Sequence, residues 1–466
     1  MDNEHFSWAI LPVMLAAGLP LVLFRDWITA PGDINQFLLY CALILQAVAS
    51  AYTIFWGLCF IFYRVFPKKF SEAELPECTV LVPAYNEGEH VAKTLRSLLK
   101  SDYPAEKLHI FAINDGSKDD TWEWITRCVT EADGRIRGIN IEKNGGKKHA
   151  LAVGVREAPE GVVVTVDSDS LVYPDTLREL VAPLADPRVG AVAGNLVAEN
   201  RRDGVFARML DTVLVFGCNF VRGAQSATGC VVCTPGALSA YRRGLLAGLL
   251  DEWLNQTFLG EPANIGEDRA ITTLILRENY RVVYQRSAQA ETTMPASYPT
   301  MCKMLIRWTR SDIRENFRML EFLCLPGKNI SLGRRLLLWI QWVPLMLNVI
   351  LPVIGLPMII LTVAITPNLT QYLEFYVLSL FVASLLPTYL YAKRRGWKAA
   401  PWAMLYTFFS PIGVLWICFW SFFTMRNSRW LTREIKAPAV ADTRQAASGL
   451  FPAGNAVIGQ NVPMER

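Results

Sequence analysis

The sequence predicts a doubly wound α/β domain set between membrane-spanning helices. Three observations lead there. Five stretches of the 466-residue chain, at 7–24, 34–63, 336–373, 375–392 and 399–425, carry no Asp, Glu, Lys or Arg. The polar block between the second and third, about 75–330, alternates β-prone apolar runs with segments of helical spacing. Asn86, Asp115, Asp167 and Asp169 stand directly after such runs.

A chain that is 52% apolar and 19% charged is neither disordered nor composed like an ordinary soluble enzyme. A net charge of +4 excludes a basic field on the scale that nucleic acids require. The ten cysteines sit mostly singly in apolar runs. They read as reduced, buried thiols rather than a disulfide scaffold.

Each uncharged run approaches or exceeds the roughly 20 residues that cross a bilayer. One such run could be a buried core helix, but five read as membrane insertion. The first has no basic residue before it and no small-residue cleavage site after it, so it does not read as a signal peptide. Arg64, Lys68 and Lys69 flank the polar block on one side and Arg334 and Arg335 on the other, which predicts a cytoplasmic block. Lys393, Arg394, Arg395 and Lys398 mark a second cytoplasmic loop. Arg426, Arg429, Arg433 and Lys436 mark a cytoplasmic tail, and 366–371 faces outward. Two cytoplasmic loops cannot flank a simple crossing at 399–425. Ser410-Pro411-Ile412-Gly413 therefore predicts a broken or re-entrant segment there. Pro344, Pro352, Gly355 and Pro357 predict a break in the third run as well.

The expected organisation is two transmembrane helices in 1–70, the cytoplasmic domain in 75–330 with interfacial helices toward its end, a transmembrane region in 335–425, and a tail in 426–466. The tail is rich in Ala, Gly, Pro and Gln and is expected to be mostly disordered after 436. The expected location is the cell's inner membrane, multi-pass, with the lipid bilayer as one partner and nucleic acid excluded. Oligomeric state is not legible.

Within the domain, a strand at 78–83 leads into the turn Ala84-Tyr85-Asn86-Glu87-Gly88 and a helix at 90–99. A strand at 108–113 follows, then Asn114-Asp115-Gly116-Ser117 and a helix from about Asp119. A strand at 161–166 runs into Asp167-Ser168-Asp169. Ligands of such sheets sit at the carboxyl ends of strands, so one crevice can collect these residues. Asp167 and Asp169 suit Mg2+ or Mn2+ shared with a diphosphate, although Asp-Ser turns are also common strand ends. Gly145-Gly146-Lys147-Lys148-His149 is a glycine turn with cations for a phosphate oxygen, or a solvated basic loop. It lacks the P-loop spacing. Gly266-Glu267-Asp268-Arg269 opens the apolar helix 270–276. Its carboxylates either cap that helix or place Asp268 as a general base. At 303–318, Arg307, Arg310 and Arg314 share one helical face beside Trp308. That pattern predicts an interfacial helix whose Trp308 ring can stack on a sugar. Cys230-Val-Val-Cys233 has no second pair to complete a zinc site.

Taken in order, the blocks resemble the processive family 2 glycosyltransferases, in particular hyaluronan synthases and nodulation chitooligosaccharide synthases. The matching pieces are Val82-Pro83-Ala84-Tyr85-Asn86-Glu87, Asp115-Gly116-Ser117, Gly146-Lys147, Asp167-Ser168-Asp169, Ser239-Ala240-Tyr241-Arg242-Arg243, Gly266-Glu267-Asp268-Arg269, Arg307-Trp308 with Arg310-Ser311 and Arg314-Glu315, and Trp430-Leu431-Thr432-Arg433. They span roughly 75–435. The resemblance implies a GT-A, nucleotide-diphospho-sugar transferase fold. It implies nucleotide contacts at Pro83, Tyr85, Glu87, Asp115, Lys147 and Asp167, with Trp430, Thr432 and Arg433 closing over the diphosphate. Asp167 and Asp169 would hold Mg2+ or Mn2+. Asp268 would be the base with Glu267 beside it, and Arg307 and Trp308 would meet the acceptor. Three departures stand out. Met304 replaces the Gln of Gln-x-x-Arg-Trp, which bears on acceptor geometry and processivity. Asn114 opens a turn often written with two acids, and Cys233-Thr234-Pro235-Gly236-Ala237 differs from the usual Gly-Pro.

The expected activity is inverting, processive transfer from UDP-sugars to a growing β-linked glycan, hyaluronan-like or chitin-like, coupled to export. The rivals are single-sugar transfer to a lipid carrier and an inactive transferase-like membrane scaffold. No short motif names the sugar.

Overall fold

The computed structural model describes residues 34–67, 70–325, 330–365, 369–428 and 461–462. The run at 7–24, Lys68, Lys69, Arg429, Trp430, Thr432, Arg433 and Lys436 lie outside the described residues, as does the expected disorder after 436. The chain divides into two compact units.

One unit takes in Val65–Glu199, Val232–Thr293 and Arg426–Arg466. It is built on one sheet with strands β1 (Cys78–Ala84), β2 (Leu108–Asp115), β3 (Ile136–Ile141), β4 (Val162–Thr165), β5 (Ser170–Val172), β6 (Val189–Ala198) and β7 (Ser239–Arg242). A separate hairpin, β8 (Thr257–Phe258) and β9 (Glu261–Pro262), precedes β10 (Arg281–Thr292) and β11 (Asn461–Val462). The order across the sheet is β11-β3-β2-β1-β4-β7-β6-β10-β5. β1 is buried along its whole length between β2 and β4, which is why it reads as an unbroken apolar run. Val91 and Leu95 of helix His90–Leu99 join β1 in the main core. Each such side chain contributes about 1.5–3 kcal/mol on burial, so this sheet edge is a firm platform.

Two features differ from the expected sheet. β2 runs on to Asp115, because Asn114 and Asp115 still pair with Asn140 and Ile141 of β3. The sheet is also mixed: β7 is antiparallel to both β4 and β6, and β5 is antiparallel to β10.

The other unit takes in Met1–Arg64, Asn200–Val231 and Met294–Met425 and is helical among the described residues. Leu332–Pro357 and Leu373–Arg395 are long and apolar enough to cross a membrane. Leu336, Ile354, Leu373 and Val377 are exposed along them, a pattern that suits lipid contact. Trp397–Gly413 and Leu415–Phe423 together are apolar enough for a further span, but are bent by 43° at their junction. The break falls beside Pro411 and Gly413. The break expected near Pro344, Pro352 and Pro357 does not occur: Leu332–Ile365 is one helix with all three inside it. Each proline removes a single N–H, a loss that a long helix packed on neighbours absorbs. Helix Tyr298–Cys324 buries Arg310 and Arg314, so part of its cationic face turns inward rather than to an interface. Arg310 donates to Thr424 Oγ1 from Nε and Nη2, at 3.1 and 2.8 Å.

Candidate active site

The site lies in the α/β unit, at the carboxyl ends of β1, β2 and β4. Ala84 is level with Asn114, and Leu81 with Thr165, so Tyr85–Glu87, Asp115 and Asp167 leave the sheet along one edge. Pro83 is buried at the end of β1, while Tyr85 and Glu87 are half-buried in the turn that follows. Asn86 has a positive φ of 52° and accepts from the Lys118 amide at 2.9 Å, which ties this turn to the loop after β2.

Asp115 is 2% exposed. Its two oxygens accept from the Gly145 and Gly146 amides at 2.9 and 2.8 Å. Burial pushes its carboxyl above the usual carboxylate range, and the two amides oppose that rise. The glycine turn thus spends two backbone donors on Asp115, where the sequence alone suggested a phosphate.

Lys147, the next residue, begins helix Lys147–Glu157. Its Nζ reaches Asp167 Oδ1 at 2.5 Å and Glu267 Oε1 at 2.8 Å. Burial works against its charge, yet the two carboxylates raise its pKa above the ordinary lysine value. Gly236 lets Lys147 through, since a methyl at that position would collide with Nζ. Asp167 is partly exposed, and Asp169, two residues on, is exposed. Their oxygens fit Mg2+ or Mn2+, which takes one or two carboxylates and leaves other positions to water and phosphate. Among the described residues, no group of three or more His, Cys, Asp and Glu offers a self-contained metal cage.

Glu267 and Asp268 open helix Glu267–Arg277 behind Gly266, whose φ of +75° only glycine adopts without strain. Trp253 Nε1 donates to the Glu267 carbonyl at 3.0 Å. Thr272 Oγ1 donates to the Asp268 carbonyl at 2.6 Å, and hydroxyl contacts of 2.7 and 2.9 Å carry on to Thr234 and Tyr241. The backbone under the two acids is therefore pinned on both sides. Asp268 Oδ2 accepts from the Gly236 amide at 3.3 Å, with Cys233 Sγ 3.9 Å away. Burial and then Glu267 push the Asp268 carboxyl above the usual range, while Lys147 pulls it back. Asp268 and Glu267 also line a pocket with Leu151, Val155, Leu246, Trp253 and Ile271.

Lys147 thus joins Asp167 to Glu267, and the Gly145–Lys147 turn links them to Asp115. Arg307 and Trp308 belong to the helical unit, where Trp308 is 38% exposed. Sequence reasoning did not find Cys233, Gly236, Thr234 or Thr272 as neighbours of Asp268. The only signal for Cys233, Thr234 and Gly236 was the departure from the family pattern at 233–237, and Thr272 had none.

Residues 79–250 match the family model "Glycosyl transferase family 2", and residues 259–459 match "Chitin synthase". An N-acetylglucosaminyltransferase of Azorhizobium caulinodans is 30% identical over 378 residues, which is 77% of this chain and 88% of that protein. The chain belongs to glycosyltransferase family 2. An N-acetylglucosaminyltransferase of Sinorhizobium fredii is 36% identical over 253 residues, 54% of this chain. That match spans 60% of the Sinorhizobium protein, and a similar one spans 58% of its Rhizobium meliloti counterpart. The solved mannosyltransferase PcManGT from Pyrobaculum calidifontis, in complex with GDP-Man and Mn2+, superposes with a TM-score of 0.53 at 21% identity. It covers 81% of this chain and 99% of its own, and so shares the GT-A fold.

Proposed function

We propose that this family 2 member is an inverting, processive glycosyltransferase. It builds a β-linked, GlcNAc-containing polysaccharide from UDP-sugars at the inner face of the membrane and passes it outward. The observation that carries the reading is Asp268: a half-buried carboxyl of raised basicity, held beside the Lys147–Asp167–Glu267 cluster. A general base needs this combination of fixed position and elevated pKa.

Asp167 and Asp169 would hold Mg2+ or Mn2+, which when bound neutralises charge on the departing diphosphate. Asp268 takes the proton of the attacking acceptor hydroxyl, and inversion needs no covalent intermediate. Glu267 stays paired with Lys147, which keeps a second carboxylate from competing for that proton. Tyr85, Glu87 and Asp115 line the nucleotide side, Arg307 and Trp308 meet the acceptor, and Trp430, Thr432 and Arg433 close over the diphosphate. The relatives' name and the chitin synthase model support GlcNAc as a donor sugar. The two long apolar helices support attachment to a membrane.

The test is to purify the protein in detergent, supply labelled UDP-GlcNAc, UDP-GlcA and UDP-Glc with Mg2+ or Mn2+, and measure UDP release and product length. A long glycan and loss of activity on chelation are expected. Asp268→Asn should lower turnover by about 10²–10⁴-fold and leave UDP binding intact. Normal polymerisation by that variant would refute the base assignment. A one-sugar lipid product would favour the lipid-carrier reading, which Met304 in place of glutamine keeps open.

A further inference from the structure

Three consecutive side chains at the start of helix Lys147–Glu157 reach in different directions. Lys147 bridges Asp167 and Glu267. Lys148 is buried, and its Nζ lies 3.3 Å from both Gln256 Oε1 and the Ala263 carbonyl. The third, His149, has no place in the mechanism above. Its ring lies against Gly145: a methyl on that glycine would fall 2.7 Å from His149 Cγ and Nδ1. Its Nδ1 is buried and has no hydrogen-bond partner. Such an orphan is uncommon and asks for an explanation. Two charged groups act on the ring, Asp115 at the end of β2 and Arg156 farther along its own helix. Asp115 is the group whose oxygens the Gly145 and Gly146 amides hold.

We propose that His149 is a positioning residue for the donor nucleotide: its ring braces the Gly145-Gly146 turn against Asp115, and a proton on Nδ1 loosens that brace. The inference rests on the reading of Asp115 as part of the nucleotide side. In the neutral form the orphan Nδ1 leaves Asp115 to the two amides. A proton there puts a positive charge on the ring, whose pull on the Asp115 carboxylate competes with the hold of the two amides. Burial lowers the pKa of His149 below the ordinary histidine value, and Arg156 lowers it further, whereas Asp115 raises it. The neutral form therefore prevails at neutral pH, and the loosening sets in only under acid conditions.

The experiment measures UDP binding with Mg2+ by calorimetry, and donor KM and kcat, between pH 5.5 and 7.5. It uses the full chain and the variants His149→Gln, His149→Ala and Gly145→Ala. Wild-type affinity for UDP should fall toward pH 5.5, and His149→Gln should lose that part of the fall. His149→Ala should raise the UDP Kd and the donor KM about tenfold at pH 7.5, the scale of one lost hydrogen bond, with kcat little changed. Gly145→Ala displaces the ring and should raise the donor KM while keeping the acid limb. Thermal melts of each variant separate these effects from misfolding, and His149→Gln remains the decisive comparison if His149→Ala does not fold. An acid limb identical in wild type and His149→Gln overturns the proposal, as does an unchanged KM in His149→Ala. Failure of the wild-type protein to bind UDP would instead overturn the parent reading.

Discussion

At the residue scale, the site depends on how one lysine is shared. Lys147 is the cation between Asp167 and Glu267, and it holds down the pKa of Asp268. Replacing it with Gln removes the opposing charge, so the Asp268 carboxyl rises further. A base acts in its deprotonated form, so the rising limb of the pH–rate profile should move to higher pH in Lys147→Gln. Initial rates between pH 5 and 9 check this, and a limb that stays in place would remove Lys147 from the tuning of Asp268. The same residues show what a sequence can reveal. Asp115, Asp167, Asp169 and Asp268 stood out in the sequence because each reads as the end of a strand or the opening of a helix. The partnership of Asp115 with two glycine amides was not, because thirty residues separate them in the chain.

At the scale of elements, helix Glu267–Arg277 aims two acids into the site from a left-handed residue. Gly266→Ala keeps the size small but forces a side chain into φ +75°, at a cost of about 1–2 kcal/mol. We expect a Tm lower by about 2–4 °C and a larger proportional loss of turnover, because the Asp268 backbone turns with the cap. Calorimetry and UDP release on one preparation separate the two effects. In the helical unit, Asp211 of helix Val205–Leu214 is wholly buried. It accepts from Tyr391 Oη at 2.9 Å and from Arg395 Nε and Nη2 at 3.0 and 2.7 Å. Asp211→Ala strands the Arg395 charge and should cost about 3–5 kcal/mol. Early melting in detergent is the expected readout, and an unshifted melt would mean that Arg395 finds another partner. Periodicity predicted helix His90–Leu99 to the residue, and the proline and glycine at 411 and 413 placed the break there, but the same proline rule misjudged Leu332–Ile365. Proline is only a local penalty, and the packing of a long helix outweighs it.

At the scale of the molecule, the proposed sidedness is open to a direct test. Among the described cysteines, Cys324 alone is exposed, at the end of helix Tyr298–Cys324. If residues 75–330 are cytoplasmic, a membrane-impermeant maleimide should leave Cys324 unlabelled in intact cells and label it in inverted vesicles. Labelling in intact cells would reverse the assigned topology, and with it the supply of UDP-sugars from inside.

The linear order of residues by itself determined the long charge-free runs at 336–373 and 375–392 and the alternation of strands and helices that begins at Cys78, whereas 200–231 and 294–330 fall in the helical unit rather than with the α/β domain. It also determined the strands β1, β2 and β4 and the identity of the acids. Hydrophobic period, charge-free length and strand-end turns are all local properties, readable within a dozen residues. Only the tertiary structure decided which acids share a cation and what lies beside Asp268. β7 enters antiparallel between β4 and β6, with Ser239 opposite Thr165. That direction delivers Cys233, Thr234 and Gly236 to the edge where Asp167 leaves the sheet. Strand direction is set by pairing between segments far apart in the chain, and no local pattern encodes it.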